Sequence, residues 1–282
     1  MIWRLRGREL KVDGPIIMGI LNATPDSFSD GGRFFSPTAA VAHALGMIEA
    51  GADIVDVGGE STRPGAEPVS ESEEIERVLP VVEELARRQP QAAISIDTVK
   101  SGVARVALDA GAHIVNDVSA LRLDPAIAKA CAERGAGLVL MHSRGSVADM
   151  ATFAHAEYRD VVAEVVAELG ESVVIARKAG VQDQQIVLDP GVGFSKKSEH
   201  SLAILAGLRR LTNLGFPVLV GASRKRFIGE ITGVGESGLR LGGTLGASVA
   251  ALALGAHIFR VHDVREHREA LDVAWRIIRS GM

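Results

Sequence analysis

GADIVDVGGE (51–60), GAHIVNDVSA (111–120) and GAHIFRVHDV (255–264) are three versions of one joint. Each follows a segment of helical periodicity that ends in small or apolar residues, and each runs at once into a β-branched stretch. A glycine in the left-handed region closes a helix, and the strand begins directly behind it. A weaker copy, GAGLVLMH, stands at 135–142. Repeated joints of this kind predict α/β architecture. Short apolar runs predict strands over 16–22, 52–59, 92–98, 113–119, 137–142, 186–191, 217–223 and 257–263. Helical periodicity fills 37–50, 72–89, 99–110, 124–134, 155–179, 198–214, 238–254 and 264–279. Every gap is long enough for the crossover that parallel strands require. The runs are apolar on both faces, as strands covered by helices are. The pattern predicts a (β/α)8 barrel of the TIM type, with a doubly wound open sheet as the alternative. Residues 1–14 alternate around Gly7 and predict an N-terminal hairpin ahead of the barrel. No stretch reads as a linker, so 1–282 is expected to be a single domain.

Composition excludes several classes of function. The formal net charge is −4 over 282 residues, which argues against a generic basic surface for nucleic acid. A local anion site is still open, because Arg and Lys can cluster. The lone cysteine, Cys131, makes a disulfide framework within the chain impossible and reads as a buried helix residue. Arg4, Arg6 and Arg8 interrupt the apolar residues of the N-terminus, which does not read as a signal peptide. The most apolar tract, 243–258, is shorter than a spanning helix needs and contains Gly246 and Gly255. A cytoplasmic location with no membrane contact is the expectation.

In such a barrel the chemistry belongs at the C-terminal ends of the strands. Here those ends offer Asn22, Asp56, Asp97, Asn116 with Asp117, His142, Asp189, Ser223, and Arg260 with His262. Asp56, Asn116 and Arg260 each lie five residues after a joint glycine, so they are expected at equal depth on three strands. A purely structural barrel would carry bulky apolar residues there. A ring of amide, carboxylate and guanidinium groups costs burial energy unless a ligand or the residues themselves pair it. Single members, Asp56 among them, can equally be structural. The first loop (23–32) carries Asp26, Phe28 and Asp30, and the second (58–65) carries Ser61, Thr62 and Arg63 among glycines. The seventh loop, GASRKRF (221–227), offers Ser223 and Lys225 to an anionic or electron-rich ligand, or is a solvated basic turn that suits Arg224 and Arg226 better. His43, His155, His200 and His267 lie in helical segments and read as surface residues. His113 and His257 start strands at the opposite face and read as structural. There is no Walker A loop, no complete GxGxxG, no zinc spacing and no GxSxG elbow.

The quoted segments resemble the dihydropteroate synthase family of folate biosynthesis. MGILNATPDSFSDGG (18–32) and GADIVDVGGESTRPGA (51–66) look like its two long signatures. ISIDT, VNDVSA, LMH, VLDPGVGFSK, LVGASRKRFIG and FRVHDV follow in family order, over about 16–267. The resemblance implies a (β/α)8 barrel, a homodimer and a transferase. The implied reaction joins 6-hydroxymethyl-7,8-dihydropterin diphosphate to 4-aminobenzoate, giving 7,8-dihydropteroate and diphosphate, with Mg2+ as cofactor. It implies pterin contacts from Asp97, Asn116, Met141, Asp189 and Lys225. It implies diphosphate contacts from Asn22, Thr62, Arg63, Arg260 and His262, with Asn22 also at the metal. Phe28, Pro64, Phe194 and Ser223 fall on the aminobenzoate side. Asp30, Arg63 and Lys225 take the catalytic roles, Asp30 facing positive charge that develops as diphosphate leaves. Sulfonamide sensitivity is expected, because 61–65 keeps the family loop without an insertion. Residues 143–156 match the family least, so Ser143 and Arg144 receive no role. A non-catalytic pterin-binding module of a methyl-transfer system is the alternative. It would not need Asn22, Arg63, Arg260 and His262, all of which are present. An inactive paralogue would be marked by loss of Asp97, Arg63 or Lys225, and none is lost.

Overall fold

All eight apolar runs become strands of one parallel sheet in the computed structural model, which describes residues 1–24, 36–61 and 67–281. They are β3 (Ile16–Asn22), β4 (Ile54–Gly58), β5 (Ala93–Asp97), β6 (Ile114–Asp117), β7 (Gly137–Met141), β8 (Ile186–Asp189), β9 (Leu219–Val220) and β10 (Ile258–Val261). The hydrogen-bonded order is β8-β7-β6-β5-β4-β3-β10-β9. A parallel bridge between Leu188 and Val218 joins the two ends, with Leu188 N–H donating to Pro217 O at 3.0 Å. The sheet is therefore a closed barrel, and the open-sheet alternative falls. The joint glycines Gly51, Gly111, Gly135 and Gly255 all have positive φ, from 63° to 120°, as the helix-to-strand reading requires.

The helices are α1 (Pro37–Glu49), α2 (Glu71–Arg88), α3 (Ser101–Asp109), α4 (Ala126–Arg134), α5 (Val161–Lys178), α6 (Ser198–Ala206), α7 (Leu208–Thr212), α8 (Arg226–Thr232), α9 (Leu241–Ala253) and α10 (Val264–Ser280). Three depart from expectation. The segment 155–179 becomes helical only at Val161, because Asp160 caps it, accepting from Val162 N and Ala163 N, while Glu164 Oε1 accepts from Arg159 N and Asp160 N. The segment 198–214 breaks at Gly207, where a Cβ would meet both Val162 methyls at 2.9 Å, so the chain approaches α5 more closely than a side chain permits. α8 fills a stretch for which no helix is predicted. Cys131 is fully buried in α4, and burial raises its thiol pKa, which makes it inert. Among the described residues no helix is long and apolar enough to cross a membrane.

The two N-terminal runs pair as an antiparallel hairpin, β1 (Ile2–Leu5) with β2 (Arg8–Lys11). It closes the bottom of the barrel. Trp3, Leu5 and Val12 pack with Ile16, Met18, Ile54, Ala93, Ile114, Val139, Val187, Leu219 and Ile258, and Trp3 Nε1 donates to Gln185 O at 2.9 Å. Side chains alternate along a strand, so the position two residues beyond each member of this apolar floor faces the interior one level higher. Besides Ile20 and Gly221, those positions are Asp56, Ser95, Asn116, Met141, Asp189 and Arg260. One further step reaches Asp97 and His262. The floor is apolar, and the levels above it, Ile20 and Met141 apart, carry the polar groups.

Candidate active site

Equal depth becomes contact. Asp56 Oδ2 accepts from Asn116 Nδ2 at 2.9 Å and from Arg260 Nε at 2.7 Å. Arg260 Nη2 also donates to Asp97 Oδ2 at 2.6 Å. The guanidinium thus lies between two carboxylates. Burial by itself would lower the Arg260 pKa, but Asp56 and Asp97 reverse this and raise it. Asp97 is pushed up by burial and by the nearby Asp56, Glu74 and Asp117 charges, against the pull of Arg260. Three buried polar atoms at this level have no partner among the described residues: Asp56 Oδ1, Ser95 Oγ and Asn116 Oδ1. Buried polar atoms are rarely left unpaired, and two of these three are pure acceptors. The polar groups of this level are therefore not fully satisfied from within the described residues.

Asp189 closes the adjacent side. It is 3 % exposed, Gly191 N–H donates to its Oδ1 at 2.7 Å, and burial pushes its pKa up to about 6, against the Lys225 and Arg260 charges. Lys225 Nζ stands 3.9 Å from the centroid of the Phe194 ring, a cation–π contact. Burial, then Arg260, pull its pKa down to about 8. Met141 is buried and packs with Val99, Val118 and Met150, with Phe194 against them. Ser223 and His262 meet each other: Oγ lies 2.9 Å from Nδ1, and His262 N–H donates to Oγ at 3.3 Å. The hydroxyl thus accepts the backbone N–H and keeps one lone pair and its proton, either of which suits Nδ1. Burial and the Arg224 and Arg260 charges lower His262 to about 4. Asn22 ends β3 beside Gly58, partly buried at the same mouth. Phe28, Asp30, Thr62, Arg63 and Pro64 lie outside the described residues.

Several strand-end and loop residues have other employment. Asp117 accepts from Ser119 N, Ser119 Oγ and Leu121 N, and so shapes the turn after β6. Arg224 is paired with Asp263, its Nη2 2.5 Å from Oδ1, and the exposed Arg226 lies over the Phe153 ring. Both fit the basic-turn reading. His113 and His257 accept from Ile94 N and Val218 N, as structural residues should. His267 is a correction: it is fully buried, not on the surface, because its Nδ1 turns back to donate to Asp263 O at 2.6 Å on the first turn of α10. His142 turns away from the ring, with Nδ1 2.8 Å from Lys196 Nζ and Nε2 3.0 Å from Glu168 Oε2. Arg144 secures Glu168 and Glu164 and lies 4.1 Å over the Tyr158 ring, while Ser143 Oγ donates to Val118 O. The buried Lys196 and its partners are what sequence reading missed. The residue stands within a quoted motif, but nothing in the sequence marks a lysine as interior.

The description "Pterin binding enzyme" belongs to the family model that matches residues 18–262. A dihydropteroate synthase of Escherichia coli (strain K12) is 47% identical over 268 residues, covering 95% of this chain and 93% of that protein. Among solved structures, the Xanthomonas albilineans dihydropteroate synthase with 4-aminobenzoic acid is 45% identical with a TM-score of 0.91, covering 99% of each chain. The same enzyme in complex with 7,8-dihydropteroate is 43% identical with a TM-score of 0.87, covering 98% of this chain and 99% of that one.

Proposed function

The chain belongs to the pterin-binding enzyme family, among its dihydropteroate synthases, and we propose that its barrel mouth holds dihydropterin diphosphate and 4-aminobenzoate as follows. The observation that carries the reading is the joining of Asp56, Asn116, Asp97 and Arg260 into one hydrogen-bonded set, with the Asp189 and Lys225 charges beside it. The guanidine-like edge of a pterin supplies several donors on one flat edge. A carboxylate takes that edge, Asp189 having only one backbone donor on it. Asn116 and Lys225 meet the remaining polar atoms of the ring, and Met141 lies against its face. Arg260 uses two of its donor atoms on Asp56 and Asp97 and has further N–H groups for the diphosphate. His262 adds its ring Nε2, and Arg63 and Thr62 join from the second loop. Phe194 and Ser223 take the aminobenzoate side, with Phe28 and Pro64.

The chemistry follows from charge. Diphosphate leaves once its negative charge is compensated, and the departing group leaves a methylene cation conjugated to the pterin. Ionisation precedes attack by the aryl amine, which is a weak base and needs no strong general base to free it. Asp30 faces the cation. Positioning does most of the work, and closing out water prevents hydrolysis. Magnesium suits the donor set: Mg2+ is held by one or two protein oxygens with phosphate and water completing its shell, and Asn22 offers one neutral oxygen at the mouth. When bound it supplies positive charge to the leaving diphosphate. We place the enzyme in the cytoplasm, as a homodimer, with 1–282 acting as one pterin-binding barrel domain. Sulfonamides, which carry an aryl amine like that of aminobenzoate, are expected to compete with it.

The test mixes dihydropterin diphosphate, 4-aminobenzoate and Mg2+ with the full chain and measures diphosphate released together with dihydropteroate formed. Equal amounts of both products are expected. Diphosphate release without dihydropteroate, or no release at all, would refute the reading.

A further inference from the structure

Lys196 is 2 % exposed, and it alone among the lysines of the described residues is buried. Its Nζ donates to Phe194 O at 3.1 Å and lies 2.8 Å from His142 Nδ1. A lysine ammonium is a donor only, so Nδ1 accepts and Nε2 carries the ring hydrogen, which it gives to Glu168 Oε2 at 3.0 Å. Arg144 fixes Glu168 in turn. Burial lowers Lys196 to about 7, and the nearby Asp189 charge opposes this. The neutral amine keeps two N–H groups for its two acceptors, so the clamp survives either charge state. The chain makes room for it: a Cβ on Gly191 would lie 1.9 Å from His142 O and 3.5 Å from Lys196 Nζ.

This clamp joins the loop after β8 to the end of β7. The stretch it closes, 189–196, begins at Asp189 and carries Phe194, whose ring lies under Lys225 Nζ. Its neighbours reinforce the join. His142 N–H donates to Asp189 O at 2.9 Å, Ser195 N–H donates to Met150 O at 2.6 Å, and Tyr158 Oη donates to Ser195 O at 3.0 Å. Each of these fixes backbone on either side of Phe194. Lys196 is the group that holds the Phe194 carbonyl itself.

We propose that Lys196 is a positioning residue for the aminobenzoate half of the reaction, its buried Nζ tying the Phe194 carbonyl to the His142 ring and so fixing the Phe194 ring against Lys225. The assignment rests on the reading above that Phe194 faces aminobenzoate. A side chain acting only as packing would lower the yield of folded enzyme and leave the Michaelis constants alone. A positioning residue instead splits the two substrates.

The test compares Lys196→Met, Phe194→Ala and the double variant in the full-length enzyme. KM for 4-aminobenzoate, KM for dihydropterin diphosphate, and kcat are measured for each. Lys196→Met is expected to raise the aminobenzoate KM about tenfold with the pterin KM changed less than twofold. The double variant is expected to be no worse than Phe194→Ala, because Lys196 acts through Phe194. Should Lys196→Met not fold, Lys196→Leu, which also lacks a donor, is measured in the same way. An aminobenzoate KM within twofold of wild type in the folded variant overturns the proposal, and so does failure of both variants to fold, which assigns a structural role. If Phe194→Ala itself leaves the aminobenzoate KM unchanged, the placement of aminobenzoate fails first. If Phe194→Ala raises it and Lys196→Met does not, the Lys196 proposal alone fails.

Discussion

Asp189 joins burial to chemistry most directly. Its carboxyl is pushed up to about 6 by desolvation, and only the ionised form can accept two donors from one pterin edge. The affinity for dihydropterin diphosphate should therefore rise about tenfold between pH 5 and pH 7, as the carboxyl loses its proton, and flatten above. The diphosphate titrates too, so the profile is compared with that of Asp189→Asn, which should bind more weakly and lack the Asp189 inflection. Identical profiles from the two proteins, measured by titration calorimetry without aminobenzoate, would show that Asp189 does not carry the edge. At this scale much of the site was readable. The shared spacing of Asp56, Asn116 and Arg260 from their glycines foretold equal depth, and equal depth became contact. Lys196 was not readable. A lysine in a glycine-bearing loop looks solvated, and it is buried here by His142 and Tyr158, which come from remote parts of the chain.

At the scale of elements, the strands were legible because a two-sided apolar run has few other places to go. The joints were legible because a positive φ favours glycine. What failed was local competition. Asp160 and Glu164 captured the amides that would have extended α5 backwards, and Gly207 broke a long amphipathic stretch where it met Val162. Side-chain hydrogen bonds and close approaches of this kind leave no periodic signal. The loop after β8 depends on one such approach. Gly191 has φ +68° and no room beside the His142 carbonyl. Gly191→Ala should cost roughly 2–4 kcal/mol, combining a left-handed backbone penalty with a backbone clash. Gly7, at φ +71° in the hairpin turn with nothing within 4 Å of its added Cβ, isolates the first term, and Gly7→Ala should cost about 1–2 kcal/mol. Urea unfolding of both variants checks the difference. Equal losses would mean that the loop yields easily and that the clamp at its end is slack.

The molecule as a whole is a barrel with a stopper. The hairpin covers the floor with Trp3, which is fully buried, while the opposite end holds the polar groups of the site that lie among the described residues. The two ends should therefore separate in experiment. Trp3→Ala should cost about 3–5 kcal/mol of stability and leave both Michaelis constants within twofold, and a raised KM would show that the floor shapes the mouth. The outer surface carries a different instruction. α10 buries Val264, His267 and Leu271 against the barrel, yet Val273 and Ile277, one turn apart, are 61 % and 67 % exposed. Ile231 at the end of α8 and Leu239 just before α9, the helix that packs on α10, are 62 % and 68 % exposed. Large apolar side chains left in water on neighbouring helices are what a dimer covers. Light scattering on the purified chain should give about twice 29.7 kDa. Val273→Glu with Ile277→Glu should halve that mass by burying two carboxylates without partners. A wild-type monomer would end the homodimer reading, whereas a variant still of dimer mass would move the interface to another face of the barrel.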